Sequence, residues 1–225
     1  MTTKTINENL IQLTRLHFVN AFLVREDDGF TLVDTTVGGG AGELIDAAES
    51  AGGSIRRIVL THGHGDHVGS LDDLMQQLGG SVEVHFPELD ARIHAGEKVV
   101  EGKLPGGWPQ LQTVPDARLS GGERIGSLEV IPTPGHTPGH VSYLDTRDKT
   151  AITGDLFTSY GRVEVSNHFY WRFPLAAMAT WDGTKDLESA RRLLELAPST
   201  LVVGHGPPTP NPRSAMARAI DRATR

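Results

Sequence analysis

The densest concentration of chemically capable side chains is Thr61-His62-Gly63-His64-Gly65-Asp66-His67-Val68-Gly69, where three imidazoles and a carboxylate fall within six residues. His62 and His64 are two positions apart, so a near-extended backbone turns both rings to the same side. Asp66 and His67 follow where the chain bends toward a helix, and they point in a neighbouring direction. Two adjacent donor sets from one loop suggest a pair of metal ions. Imidazole and carboxylate donors without thiolate suit zinc, and also accept iron, manganese or cobalt. The chain has no cysteine, which excludes thiolate ligands and disulfides together.

Other donors stand at the ends of apolar runs. Arg57–Leu60 reads as a short buried strand feeding the His-rich loop. Val130-Ile131-Pro132-Thr133-Pro134-Gly135-His136, Ala151-Ile152-Thr153-Gly154-Asp155 and Leu201-Val202-Val203-Gly204-His205 repeat the arrangement of strand, small turn and one donor. Glycine beside a donor lets the backbone approach a metal pocket closely. Thr61-His62-Gly63-His64 and Thr133-Pro134-Gly135-His136 also echo each other, a His standing three positions after a Thr. Two half-domains of similar topology would explain the echo, as would the recurrence of common loop residues.

The elements that must position these stations follow from patterning. Strands are expected over 10–16 and 18–24, and a turn at Glu26-Asp27-Asp28-Gly29 leads into a hairpin strand over 30–34. A helix is expected over 43–49, and Ser70 with Asp73 resembles a capping box opening a helix to about Leu78. Ser81–His85 reads as a strand, and Pro87 as the first residue of a short helix to His94. Residues 96–115 are rich in Gly and Pro, and a loop of that length in a compact domain is usually functional or mobile. Strands resume over 128–131, 141–144, 150–153 and 200–203, with helices over 181–197 and 213–225. No composition break marks a linker, so residues 1–225 read as a single α/β domain of sheet and helix layers.

His62-x-His64-x-Asp66-His67, then His136, Asp155 and His205, resembles the metallo-β-lactamase superfamily from the N-terminal hairpin to about Pro208. Pro134-Gly135-His136-Thr137-Pro138-Gly139-His140 and Thr153-Gly154-Asp155 resemble its second and third signature segments. The resemblance implies a four-layer αβ/βα sandwich: two packed mixed sheets, helices on the outer faces, and both metals at one edge. It implies that His62, His64 and His136 hold the first ion, that Asp66, His67 and His205 hold the second, and that Asp155 bridges them. Two divalent ions, zinc first, carry four positive charges; two carboxylates and a bridging hydroxide offset three. The remainder favours an anionic transition state. The expected reaction is attack by that hydroxide on an ester-like carbonyl of a lactone, thioester or related small molecule. Asp66 would orient the hydroxide and pass a proton to the leaving group.

Remaining candidates have plainer readings beside the functional ones. Asp34 is expected behind the site or in a simple turn. His140 either holds a metal loop or packs, while His17, His85 and His94 are expected to be structural or exposed. Trp108 is placed as a lid, and Tyr160, His168, Tyr170 and Trp171 as substrate-pocket candidates. The aromatics Tyr160, Phe169, Tyr170, Trp171 and Phe173 otherwise read as core. Arg213, Arg218, Arg222 and Arg225 read as a solvated helix face.

Among family chemistries, the Asp155 carboxylate departs from the true β-lactamases, and only about twenty residues follow His205, too few for the helical domain of glyoxalase II. What remains is a compact hydrolase of the stand-alone lactonase or thioesterase kind. The rivals are a mono-iron persulfide dioxygenase using His62, His136 and Asp155, and a phosphodiesterase on the same site; a non-catalytic member is disfavoured by its full ligand set. The net charge of -7 disfavours nucleic-acid or anionic-membrane partners, leaving a small-molecule substrate and, as a compatible assembly, a homodimer. Met1–Asn9 lacks the apolar stretch of a signal peptide, and no run approaches the ~20 apolar residues of a bilayer span, so a cytoplasmic protein is expected.

Overall fold

The computed structural model describes residues 1–225. The chain forms two compact units, residues 1–97 with 107–119, and residues 98–106 with 120–225.

The first unit is a seven-stranded mixed sheet in sequence order: β1 (Thr2–Thr5), β2 (Leu10–Arg15), β3 (Val19–Glu26), β4 (Gly29–Val33), β5 (Ile55–Val59), β6 (Glu83–Pro87) and β7 (Ala117–Leu119). The first four pair antiparallel because tight turns join them; the β3–β4 hairpin closes at Glu26↔Gly29. Gly29 adopts φ 139°, and a Cβ there would lie 2.6 Å from the Ser54 carbonyl oxygen, so the turn requires glycine. From β4 onward the pairing is parallel, since helices now intervene. These are α1 (Ala41–Ser50), α2 (Gly65–Val68), α3 (Leu71–Leu78) and α4 (Glu88–His94). Leu44 and Ala48 of α1 and Leu71 and Leu74 of α3 share one core with Leu23, Leu32, Ile58 and Val84 of the sheet.

The second unit holds a six-stranded mixed sheet. Its strands are β8 (Arg124–Ile125), β9 (Leu128–Pro132), β10 (Val141–Asp145), β11 (Thr150–Ile152), β14 (Thr200–Val202) and β15 (Thr209–Pro210), in the order β15-β14-β11-β10-β9-β8. Only β11 and β14 run parallel, because the chain between them makes the small ribbon β12 (Phe157–Thr158) with β13 (Glu164–Val165) and the helices α5 (Leu175–Ala179) and α6 (Gly183–Glu195). The terminal helix α7 (Arg213–Ala223) contributes Met216, Ala219 and Ile220 to a core with Ala190 and Leu193 of α6 and Leu201 of β14. The α/β class with two mixed sheets and helices is therefore as expected. No helix is long and apolar enough to cross a membrane.

Several local expectations are corrected. Ser70 does not cap α3: its hydroxyl donates to the Val37 carbonyl at 2.7 Å and accepts from the Gly40 N–H at 2.8 Å, so a loop contact takes the oxygen a capping box would use. Pro87 closes β6 and sits before the helix, which begins at Glu88. Helix α6 starts at Gly183 because the Asp182 carboxylate accepts from the N–H groups of Thr184 and Lys185, both at 3.1 Å. Arg222 is not part of a solvated face. Its guanidinium holds the buried Glu164 at 3.0 and 2.9 Å, with Arg162 as that carboxylate's second partner, whereas Arg213, Arg218 and Arg225 are exposed.

Candidate metal centre

In the first unit β5 delivers the chain through Leu60 and Thr61 to His62, and the single turn of α2 follows at once. His62, His64 and His67 are buried, while Asp66 is half-buried. Donor atoms of His62 and His64, of His62 and His67, and of Asp66 and His67 lie within 4.8 Å of one another.

Asp34, just beyond β4 and at φ 62°, organises this cluster from behind. Its Oδ1 accepts from the Thr61 N–H, and its Oδ2 from the Thr61 hydroxyl and from Nδ1–H of His67, each at 2.8 Å. That pattern fixes two tautomers. His67 carries its proton on Nδ1. Thr61 directs its own hydrogen to Asp34, so at 3.0 Å it can only accept from Nδ1–H of His62. Both rings therefore keep an Nε2 lone pair, the state in which imidazole binds a metal.

Behind the loop stands α4. Asp90, fully buried, accepts the Gly63 N–H at 2.8 Å, and the His94 ring lies between the Gly63 and Pro109 carbonyls with Nε2 and Nδ1 each 2.8 Å away. Burial holds the His94 imidazole below its ordinary pKa, against the pull of those two carbonyls and of Asp72. Trp108 is half-buried, its ring edge-on to His64 at 5.1 Å and 5.4 Å from His94, and the Gly65 N–H donates to the Gly107 carbonyl at 2.9 Å. Of the two expectations for His94, structural or exposed, the structural one holds, and its partners are the Gly63 and Pro109 carbonyls. The sole hint in the sequence was its four-residue spacing from Asp90 on a short helix.

In the second unit His136, Asp155 and His205 come together. Asp155 Oδ2 lies 3.1 Å from His205 Nε2 and 3.6 Å from His136 Nε2. His136 Nδ1 meets the Thr180 hydroxyl at 3.0 Å, and that hydroxyl donates to the Ala176 carbonyl at 2.8 Å, so it accepts from the ring. His136 thus also presents an Nε2 lone pair. His140 is the structural one of the pair: its Nε2 accepts the Asp155 N–H at 3.2 Å, its Nδ1–H faces Thr133 Oγ1 at 2.9 Å, and Thr133 continues to Ser142 at 2.9 Å.

The loop carrying His136 is anchored on α6. Gly135 stands at φ 146°, where a Cβ would lie 2.2 Å from the Asp186 backbone. The Asp186 carboxyl accepts the Asn167 N–H at 2.9 Å, and the His136 backbone N–H also holds its charged form. Burial, helped by nearby Asp155 and Asp182, nevertheless pushes its pKa well above the usual carboxylate value. Neither Thr180, in the extended link after α5, nor Asp186, inside α6, was signalled by the sequence, since each lies far along the chain from the loop it supports.

The aromatic segment divides. Phe173 and Tyr170 are buried, Phe173 stacking on His205 at 4.9 Å and on Tyr160 at 5.7 Å, with Arg162 over Tyr170 at 4.7 Å. Tyr160, Phe169 and Trp171 are 41%, 64% and 72% exposed, so the reading of them as core fails. His168 is half-buried. Each cluster thus offers imidazole and carboxylate donors with lone pairs set by their neighbours, and the donor chemistry fits divalent cations.

A family model described as the metallo-beta-lactamase superfamily matches residues 14–205. The YobT protein of Bacillus subtilis (strain 168) is 43% identical over 211 residues, covering 91% of this chain and 90% of that protein. Hydroxyacylglutathione hydrolase GloC of Haemophilus influenzae is 32% identical over 153 residues, covering 63% of this chain and 68% of that protein. Among solved structures, TTHA1623 in a di-iron-bound form superposes with a TM-score of 0.68 at 28% identity, over 91% of this chain and 95% of that one.

Proposed function

Because this chain belongs to the metallo-beta-lactamase superfamily, we propose that its two donor clusters close on one dinuclear centre that hydrolyses an ester-like carbonyl in a small molecule. His62, His64 and His136 would hold one ion, Asp66, His67 and His205 the other, and Asp155 both. The observation that carries this reading is the set of hydrogen bonds on Nδ1 of His62, His67 and His136, which leaves three Nε2 lone pairs for metal. Five imidazoles and two carboxylates without sulfur suit zinc, and the di-iron form of TTHA1623 keeps iron as the alternative occupant. Bound there, two divalent ions supply Lewis acidity and a water ionised near neutral pH.

The protein's own residues do the rest. Asp66, half-buried beside His67, orients the attacking water and returns its proton to the leaving group. The Asp34–Thr61 pair holds two ligand rings in their binding tautomer through the cycle. Phe173, stacked on His205, continues outward to the exposed Tyr160, an apolar approach for an acyl or thiol substituent. The likeness to a hydroxyacylglutathione hydrolase supports thioesters, beside lactones, as the substrate class.

The test is a hydrolysis panel of lactones, thioesters, phosphodiesters and β-lactams on protein of measured metal content. Two metals per chain with lactone or thioester cleavage is the expected result. One iron per chain with oxygen consumption would replace the hydrolase by an oxidative enzyme, and cleavage of phosphodiesters alone would displace the carbonyl substrate.

A further inference from the structure

Gly63 is the residue between two proposed ligands, and its neighbours grip it unusually closely. A Cβ at this position would lie 2.6 Å from the Trp108 ring and 2.7 Å from His94 Nε2. Asp90 and His94 stand four apart on α4 and so share one helical face. Asp90 accepts the Gly63 N–H, which belongs to the peptide group joining His62 to Gly63. His94 Nε2 meets the Gly63 carbonyl, which belongs to the peptide group joining Gly63 to His64. Every rotatable backbone bond between the two ligand rings is thereby bounded by a peptide plane held from α4.

We propose that Asp90 and His94 are positioning residues that together brace the His62–Gly63–His64 backbone and set the spacing of the two rings for metal. The inference rests on the metal reading given above, and it concerns residues that neither touch metal nor react. A neutral imidazole carries one N–H, so the ring that donates from Nε2 to Gly63 has no proton for the Pro109 carbonyl its Nδ1 faces, and the tie to the Trp108 loop is the Gly65 N–H to Gly107 bond. Metal binding is sensitive to such support, since partners that orient ligands typically contribute 10–100-fold in affinity.

The test pairs disruptive and conservative variants and reads zinc affinity by competition with a chromophoric chelator. Asp90→Ala and His94→Ala are each expected to weaken zinc binding about tenfold or more. Asp90→Asn keeps an acceptor for the Gly63 N–H and is expected to bind within about threefold of the parent. His94→Gln places an amide near the position of Nε2 and should restore affinity, whereas His94→Asn places it near Nδ1, facing Pro109, and should not. A role in packing alone would not distinguish Gln from Asn in that order. Alanine variants that bind zinc like the parent, or equal rescue by Gln and Asn, would overturn the brace. Hydrogen exchange of the metal-free protein supplies an independent readout: the peptide containing Gly63 should exchange faster in Asp90→Ala and return toward the parent rate in Asp90→Asn. If the parent protein takes up no zinc, the metal reading fails while exchange still decides for or against the brace.

Discussion

Replacing Asp34 by Asn should separate folding from metal binding. Asn is nearly isosteric and is among the residues best tolerated at positive φ, so the φ of 62° adds little strain. With the amide oxygen toward the Thr61 N–H, the amide NH2 faces the Thr61 hydroxyl and His67 Nδ1, where Asp34 now accepts both. Both groups can reverse roles. His67 then accepts on Nδ1 and moves its proton to Nε2; the Thr61 hydroxyl, no longer donating to residue 34, donates to His62 Nδ1 and reverses that ring too. Every buried hydrogen bond survives, so the metal-free protein should lose less than about 1.5 kcal/mol of stability. Two ligand lone pairs, however, are now protonated. Restoring them before binding should weaken zinc affinity about 10–100-fold, or roughly 1.4–2.7 kcal/mol. Asp34→Ala provides the contrast, because it strands three buried donors at about 1–3 kcal/mol each, or roughly 3–9 kcal/mol of unfolding free energy if they add. Chemical denaturation of the metal-free proteins and zinc competition give the two quantities, and 15N shifts of the imidazoles report the tautomers directly. If Asp34→Asn bound zinc within threefold of the parent, or destabilised the apoprotein as much as alanine, the tautomer reasoning would be wrong.

Three further outcomes are expected. Compared at equal metal content, Asp66→Asn should lower kcat about 100–10,000-fold, the usual contribution of proton transfer, and steady-state rates on metal-quantified protein would contradict the assignment if they stayed at the parent level. Gly135→Ala should cost about 3 kcal/mol or more, seen as a large fall in Tm, because its Cβ would sit 2.2 Å from the Asp186 backbone at a φ of 146°. Asp186 has its pKa raised above 3.8 by burial, so its contribution to stability is whole below about pH 3.8 and is lost as pH rises through the folded value. Asp186→Asn removes that dependence: relative to the parent, its Tm should improve from pH 4 to pH 8, and a constant offset across that range would contradict the assignment.

The candidate donors were legible because each follows a run of apolar residues closed by a small turn, a pattern written in adjacent positions. The same held for the longer elements, from the β3–β4 hairpin to helices α6 and α7, whose periodicity extends over enough residues to be read. Two-residue strands such as β8, β12 and β15, and the exposed β1 of Thr2–Thr5, carry no such period and form where a neighbouring strand offers hydrogen-bond partners. Exposure of Tyr160, Phe169 and Trp171 escaped for a related reason, since aromatic character does not say which way a loop turns it.

From sequence alone came the α/β class, the superfamily resemblance and the donor types, because those depend on local order and residue chemistry. Only tertiary structure decided how the donors are held. Asp34 behind His67, Asp90 and His94 around Gly63, Thr180 behind His136, and Asp186 against Gly135 lie 27 to 51 positions away from the residues they support. A hydrogen bond depends on angle and separation in space, and chain order specifies neither until the sheets and helices have packed.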